Sequence, residues 1–515
     1  MREIELVLLL LVLVTALTLV ARRFTFPYPI VMVLGGLLLS QIPALPAFEL
    51  PPELVFFVFL PPLLFAGGYF TSLRDFKANL RPIFLLAFGL VIFTAAAVAL
   101  VAHMFVPTLG WAGAFALGAI VSPPDAVAAT AIFQRMGVPR RIVTILEGES
   151  LVNDATALVI YRFAVAAAAA GTFSLIDAGG SFFVVLLGGI AVGIVVGRAG
   201  AWILARIRDT AIAVMVTLLA PFAAYLSAES IGVSGVLATV VGGLFARSWL
   251  RQSSSDTRVV AFSAWQMVLF LLNGLVFMLI GLQLPSVIRG VSADPAEVAT
   301  ITAAVALTVV VSRFVWVYPT TYLTRLIPAV KRVDPNPPWQ AVFVVSWSGL
   351  RGVVSLAAAL ALPVGFPERN LILFLVFAII LVTLVGQGLT LPLVIKKLGV
   401  VSTEDGSHDE VHARGLTTEA ALARIEELRT KWPGHIELID QLRDRYAHRA
   451  RHDEMHHEDG GAAEQELLEH GLIKREVIDA ERQAAINLHD RGVITDEVLR
   501  RIERDLDLED LRMEA

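Results

Sequence analysis

The sequence predicts an all-α polytopic membrane protein with about thirteen transmembrane helices and a soluble helical C-terminal tail. The 515 residues are 56% hydrophobic and only 17% charged, and the mean hydropathy is +0.72. This composition is too apolar for a soluble protein of that length. Apolar stretches long enough to cross a bilayer recur as far as residue 397, and polar helical patterns follow them.

The charged residues divide the chain into two parts. Residues 1–398 contain 25 Lys and Arg against 17 Asp and Glu, whereas residues 399–515 contain 16 against 29. A basic, apolar region followed by an acidic, polar one indicates two different kinds of domain. We therefore expect a transmembrane domain at 1–398 and a cytoplasmic, acidic helical tail at 399–515.

A helical span needs roughly 17–25 mainly apolar residues. The first apolar run, at 4–20, is longer than a signal-peptide core and lacks a preceding cluster of positive charges, so we expect a retained span. The candidate spans are 4–21, 28–42, 52–70, 82–106, 111–134, 140–170, 179–205, 209–227, 231–248, 259–283, 294–325, 337–362 and 369–397.

The positive charges in the loops predict how the chain crosses the membrane. Lys and Arg cluster in every second loop, for example Arg74, Lys77 and Arg81 after span 3, whereas the opposite loops hold little more than Arg289 and Arg369. Cytoplasmic loops carry such an excess. The pattern predicts a multi-pass protein of the cell (inner) membrane with its N-terminus outside and its tail in the cytoplasm.

Two of the spans are interrupted. Span 5 contains Ser122-Pro123-Pro124-Asp125, and span 12 contains Ser346-Trp347-Ser348-Gly349-Leu350-Arg351-Gly352. Each is next to last in a block of six spans, if spans 1–6 and 8–13 form two inverted halves. Paired interruptions in inverted repeats are typical of the midplane binding site of a secondary transporter.

Span 6 carries acidic residues at membrane depth, in the stretch Glu149-Ser150-Leu151-Val152-Asn153-Asp154. Acidic groups there usually face a water-filled cavity on an ion or proton pathway. Asp154 and Ser150 share a helix face at i, i+4, and alkali cations prefer oxygen ligands such as these and the carbonyls freed where span 5 unwinds. If Asp154 holds either a proton or a cation, alternating exposure to the two sides exchanges one for the other.

The helix ends at the two interruptions carry partial charges. Asp125 can offset a positive end, and Arg351 can offset a negative end and also pair with Glu149. We expect the Glu149–Arg351 pair to hold the geometry of the site, since a buried ion pair is weak evidence of stability.

Three motifs together resemble those of the cation:proton antiporters, a group that includes the NhaP proteins and sodium/hydrogen exchangers. Gly148 to Asp154 is similar to the GES-x-x-ND signature, Asp125 precedes Glu149 by 24 residues as in that family, and Gly349 to Gly352 is similar to its GLRG motif. The resemblance implies crossed broken helices 5 and 12, a homodimer, and a cation and proton site at Asp154, with Ser150 as a ligand and Asp125 and Glu149 close by.

The resemblance also implies a stoichiometry, because members with Asn-Asp, here Asn153-Asp154, are typically electroneutral and exchange one cation per proton. The chain departs from the family's Thr-Asp-Pro by reading Pro124-Asp125-Ala126. That change preserves a backbone carbonyl at Pro124 as a candidate ligand. The bound metal is expected to be the transported Na⁺, at Asp154 and Ser150, and no cofactor, enzymatic activity or nucleic-acid partner is expected.

Several alternatives remain open. Potassium could be the substrate instead of sodium, since no residue separates the two ions, and a cation channel is compatible with the composition. An intramembrane protease is disfavoured, because Asp125 and Asp154 lack the sequence context of a catalytic pair.

The remaining ionisable groups receive weaker predictions. Glu147 is expected on a different helix face from Ser150 and Asp154, and Arg162 is expected to bond backbone carbonyls. Arg313 and Glu229 have no assigned role. In the tail, which we expect to be regulatory, helices are predicted from about Thr417, at 435–451 and at 464–490, and nine of the ten histidines lie there.

Overall fold

The computed structural model separates into two compact units, Met1–Ser402 and Thr403–Ala515. Each unit is helical over the residues that the structure describes. Those residues are 2–24, 27–42, 51–170, 175–250, 253–291, 294–401, 406–455 and 462–491, with 493, 495, 498, 499, 502, 503, 505, 506 and 509.

The helices of the first unit follow the apolar stretches of the sequence. We number them α1 Arg2–Phe24, α2 Tyr28–Leu39, α3 Pro52–Phe70, α4 Leu80–Phe105, α5 Gly110–Val121, α6 Ala126–Met136, α7 Arg140–Ala170, α8 Leu175–Leu204, α9 Thr210–Ser230, α10 Gly235–Leu250, α11 Ser255–Arg289, α12 Pro295–Leu323, α13 Trp339–Trp347, α14 Val353–Leu360 and α15 Arg369–Leu398. Short helices lie at Leu73–Ala78 and Pro328–Val333.

Nine helical segments of the described chain are long and apolar enough to cross a membrane. Three shorter apolar helices accompany them, at Leu8–Ala21, Tyr28–Leu39 and Gly235–Ala246. The predicted class, an all-α polytopic membrane protein, is confirmed. The count of thirteen spans and the inverted repeat stay predictions.

Both predicted interruptions are present, and each has a local cause. At the first, Pro123 and Pro124 lack backbone N–H donors, so α5 ends at Val121 and α6 begins after Asp125. At the second, α13 ends at Trp347 and α14 begins after Gly352. A helix that is broken at membrane depth leaves backbone groups free to line a site.

Close helix contacts position α2 and α11 beside the interruptions. A Cβ on Gly36 would lie 2.1 Å from the carbonyl oxygen of Met278, and one on Gly281 would lie 2.1 Å from that of Val33. Only glycine allows this approach, which is the usual way membrane helices pack. The contact fixes the helices that carry Tyr28 and Asn273 near the broken segment.

The second unit contains helices α16 Gly406–Lys431, α17 Ile436–Met455 and α18 Ala462–Asp490. The first begins about ten residues earlier than predicted. Arg429 of α16 lies 3.5 Å from Asp440 of α17. Residues 456–461, which include two of the tail's nine histidines, lie outside the described residues.

Candidate cation and proton site

Asp125 lies where the two interruptions meet. Its Oδ1 accepts a hydrogen bond from the N–H of Val127 at 2.9 Å, so it caps α6. Its own N–H donates to the carbonyl of Leu350 at 2.7 Å. Its Oδ2 lies so close to Gly352 that a Cβ there would be 1.8 Å away. Asp125 therefore joins the two broken segments, and its carboxylate offsets the positive ends of α6 and α14.

Arg351 lies at the C-terminal end of α5, where the helix dipole is negative. Its Nε donates to the carbonyl of Val121, the last residue of α5, at 2.6 Å, and its Nη1 donates to Gly349 at 2.6 Å. Its backbone N–H donates to Thr383 Oγ1 of α15 at 3.1 Å. The guanidinium thus satisfies carbonyls that the break leaves without intrahelical partners, as the sequence analysis expected for Arg351.

The prediction that Glu149 pairs with Arg351 was wrong. Glu149 pairs with Arg313 of α12, with Nη1–Oε1 and Nη2–Oε2 distances of 2.6 and 2.7 Å, and both side chains are almost fully buried. Arg313 Nε also donates to the carbonyl of Val345 in α13 at 3.0 Å. Arg351 instead donates to the carbonyls of Val121 and Gly349. The fork geometry of Arg313 matches the carboxylate and ties α7, α12 and α13 together.

Asp154 and Ser150 line a cavity of about 880 Å³ together with Asp125. Asp154 is only 6% exposed, and its carboxylate makes no hydrogen bond to the part of the chain that the structure describes. The Ser150 hydroxyl accepts a hydrogen bond from the N–H of Ala126 at 3.4 Å. Two carboxylates and a hydroxyl from α6 and α7 therefore surround one polar space.

Asn153 connects α7 to the broken span. Its Nδ2 donates to the carbonyl of Pro124 at 2.8 Å, while its buried Oδ1 has no hydrogen-bond partner in the described part of the chain. The Pro124 carbonyl, a predicted cation ligand, is thus already held by an amide, although a carbonyl oxygen can accept a second contact.

The cavity runs from Asp154 toward the side that the loop charges predict to be cytoplasmic. Its lining includes Glu147, Gln134 and Gln266, which belong to the predicted cytoplasmic halves of their spans, and Thr71, which directly follows span 3 on the same side. The prediction for Glu147 was wrong: residues 147, 150 and 154 are three and seven apart and share one helix face. A carboxylate therefore lies on the route to Asp154.

An ion pair lies on α7 eight residues beyond Asp154. Arg162 Nη2 donates to Glu229 Oε1 and Oε2 at 2.9 and 2.8 Å, and Glu229 Oε1 also accepts from the N–H of Gly235 at 3.1 Å. The expectation that Arg162 bonds backbone carbonyls was wrong, since its partner is a carboxylate. The pair joins α7 to α9 in the part of α7 that the loop charges predict to be nearer the outside.

The predicted ligands Pro124, Asp125, Ser150 and Asp154 line the cavity. The supporting residues do not belong to its lining: Asn153 contacts the Pro124 carbonyl, Glu149 pairs with Arg313, and Arg351 bonds the Val121 carbonyl. Sequence reasoning missed Arg313 and Glu147. A signal existed for each. Arg313 is a charge inside an apolar run, which predicts a buried partner, and Glu147 has helical spacing to Asp154. Among the described residues, no group of three or more His, Cys, Asp and Glu side chains could hold a metal.

Residues 8–397 match the family model described as "Sodium/hydrogen exchanger, transmembrane". A sodium, potassium, lithium and rubidium/H⁺ antiporter of Bacillus subtilis is 36% identical over 415 residues, covering 76% of this chain and 61% of the relative. The Bacillus pumilus antiporter of the same name is 34% identical over 82% of this chain and 66% of its own length. The chain therefore spans less than two thirds of the length of both.

Another relative matches over nearly its whole length. An uncharacterized Na⁺/H⁺ exchanger of Mycobacterium tuberculosis is 34% identical and covers 96% of this chain and 93% of the relative. Among solved structures, the sodium proton antiporter MjNhaP1 of Methanocaldococcus jannaschii superposes with a TM-score of 0.61 at 18% identity, over 77% of this chain and 99% of that one. At that identity the superposition supports the fold alone.

Proposed function

Since the chain belongs to the sodium/hydrogen exchanger family, we propose that it is a secondary antiporter that exchanges protons for monovalent cations, with Na⁺ as the main substrate. The observation that carries the proposal is the Asp154 carboxylate, buried at membrane depth, facing a cavity and free of hydrogen bonds to the described residues. A buried carboxylate without a permanent partner must bind either a proton or a cation.

Na⁺ is a hard cation and takes oxygen ligands. Asp154 and Ser150 supply a carboxylate and a hydroxyl on one helix face. Asp125 and the Pro124 carbonyl lie across the cavity on the broken span, and the carbonyl oxygen has a second lone pair for a cation. Asn153 adds an amide rather than another charge, so one bound Na⁺ or one proton neutralises Asp154. This arrangement supports electroneutral exchange of one cation per proton.

The neighbouring charges are already compensated. Glu149 is neutralised by Arg313, and Arg351 and Asp125 offset opposite helix ends. Asp154 is therefore the carboxylate whose charge changes during the cycle. The cavity on the predicted cytoplasmic side and the Arg162–Glu229 pair on the other correspond to a state in which Asp154 is reached from the cytoplasm.

Potassium is the second candidate substrate. The Bacillus relatives are named as antiporters of sodium, potassium, lithium and rubidium, and all of these ions use the same kinds of oxygen ligand.

We further propose a homodimer in the cell membrane with the N-terminus outside. Residues 399–515 would form a cytoplasmic regulatory tail; an unchanged pH profile of transport after deletion of 401–515 would count against regulation by its histidines.

The test uses proteoliposomes containing a pH dye. Addition of Na⁺, K⁺ or Li⁺ outside should drive proton efflux in the wild type, and the rate should not depend on an imposed membrane potential. The same addition should drive no proton efflux in Asp154→Asn. Asp294→Asn, an exposed aspartate at the start of α12, is the matched control and should behave as the wild type. Full exchange by Asp154→Asn would remove the mechanism, and a current without proton movement would indicate a channel.

A further inference from the structure

A second polar cluster lies far from Asp154, at the loops predicted to be cytoplasmic. Asp334, between α12 and α13, receives three arginines. Arg81 Nη2 lies 2.8 Å and Arg325 Nη2 lies 2.7 Å from its Oδ2, and Arg141 donates to its Oδ1. Burial raises the pKa of Asp334, but the hydrogen bonds and charges of Arg141 and Arg325 outweigh it, so the pKa lies below its ordinary value. Three positive charges thus meet one ionised carboxylate.

The three arginines differ in how many donors remain free. Each nitrogen of the Arg325 guanidinium donates a hydrogen bond, because its Nε and Nη1 also donate to the carbonyls of Asp334 and Thr321 at 3.1 and 2.6 Å. In Arg81, by contrast, Nε and Nη1 are buried and have no hydrogen-bond partner among the residues that the structure describes. Buried guanidinium donors without acceptors are costly, and an anionic ligand would satisfy them.

These arginines border a cavity of about 560 Å³ between α4, α7, α12, α13 and the end of α15. No carboxylate belongs to its lining among the residues that the structure describes. Arg81, Arg141 and Arg325 occupy the end nearest the loops, and the rest is mainly apolar. The apolar lining includes Leu85, Leu86, Ile142, Ile145, Val342 and Val345. The cavity is therefore basic at the membrane surface and apolar toward the membrane interior.

We propose that this cavity binds an anionic phospholipid, with its phosphate on Arg81 and Arg141 and its acyl chain along the apolar lining. Basic pockets between membrane helices on the cytoplasmic side are suited to anionic headgroups, and arginine forks match phosphate oxygens. A free phosphate would satisfy the arginines but would leave the apolar lining uncovered, so the lining favours the lipid. The site is separate from Asp154 and does not depend on the proposed exchange.

The first arm of the test compares ligands on the purified full-length wild-type chain. Phosphatidylglycerol or cardiolipin should raise the unfolding temperature and remain bound in native mass spectrometry, whereas phosphatidylcholine and inorganic phosphate should not. An equal rise with phosphatidylcholine would overturn the proposal. An equal rise with inorganic phosphate would show that a free anion, and not a lipid, uses the arginines.

The second arm locates the site. Arg81→Gln should weaken binding of phosphatidylglycerol by about tenfold to a hundredfold, the loss expected for charge-assisted hydrogen bonds, and Arg81→Lys should retain part of the affinity. Arg140→Gln is the control, since Arg140 is 83% exposed on the same face and does not line the cavity. Unchanged lipid binding by Arg81→Gln would contradict the assignment, and the comparison of ligands on the wild type stands even if that variant unfolds.

Discussion

Glu149 shows what the sequence can and cannot predict about a single residue. An acidic side chain inside an apolar span predicts a basic partner, and that expectation was correct. The choice between Arg351 and Arg313 depends on which helix of a later span packs against α7, and linear spacing does not contain that information. In the structure, Arg351 donates instead to carbonyls that the break leaves free, at Val121 and Gly349.

We predict that Glu149→Gln lowers the free energy of unfolding by about 3–5 kcal/mol, because it leaves the buried Arg313 guanidinium without its charge partner. Arg313→Gln should lower the free energy of unfolding by a similar amount. The double variant should lower it by less than the sum of the two single variants, since neither buried charge remains. Denaturant unfolding in detergent measures all three.

The control for this prediction is Glu53→Gln, which alters an exposed glutamate at the start of α3 and should leave stability within about 0.5 kcal/mol of the wild type. Additive losses in the double variant would show that Glu149 and Arg313 do not stabilise the fold as a pair.

At the scale of the elements, the prolines of span 5 and the glycines of span 12 predicted both breaks in the right places. What they could not predict is that the breaks are joined, through the hydrogen bond from Asp125 to Leu350 and the contact of Asp125 with Gly352. Such contacts between residues more than 200 positions apart depend on packing. The helical spacing of Glu147, Ser150 and Asp154 was readable from the sequence, and the face of Glu147 was assigned incorrectly.

The ion pair between α7 and α9 gives a prediction about which side of the membrane reaches Asp154. Arg162 is 47% and Glu229 25% exposed, and exposed pairs contribute about 0.2–1 kcal/mol. If the pair holds the outer side closed, Arg162→Gln should increase access from outside by about 1.5- to 5-fold. Leu158, between Asp154 and Arg162 on the same helix face, is the reporter position.

The chain contains no cysteine, so Leu158→Cys introduces a single reactive thiol. A membrane-impermeant maleimide added outside should label this thiol slowly in the Leu158→Cys variant. Labelling should be faster in the variant that carries both Leu158→Cys and Arg162→Gln. Arg206→Gln, which removes a guanidinium stacked 3.8 Å over Trp202, is the control and should not change the rate. Equal labelling in all three backgrounds would mean that the Arg162–Glu229 pair does not close the pathway.

At the scale of the whole molecule, composition and loop charges were sufficient to predict the fold class, because a bilayer permits few architectures. The three motifs were sufficient to predict the family, to which residues 8–397 belong. The basic cavity lined by Arg81, Arg141 and Arg325 could not be predicted, since these arginines belong to three separate segments of the chain and none is unusual by itself. Its detection required the arrangement of the helices.

The central claim is that Asp154 binds a cation or a proton and never both. The most direct test adds Na⁺ to the purified protein in a weakly buffered detergent solution and measures the protons released with a pH dye. The account predicts one proton released per Na⁺ bound in the wild type and none in Asp154→Asn. Sodium binding without proton release in the wild type, or unchanged release in Asp154→Asn, would contradict it.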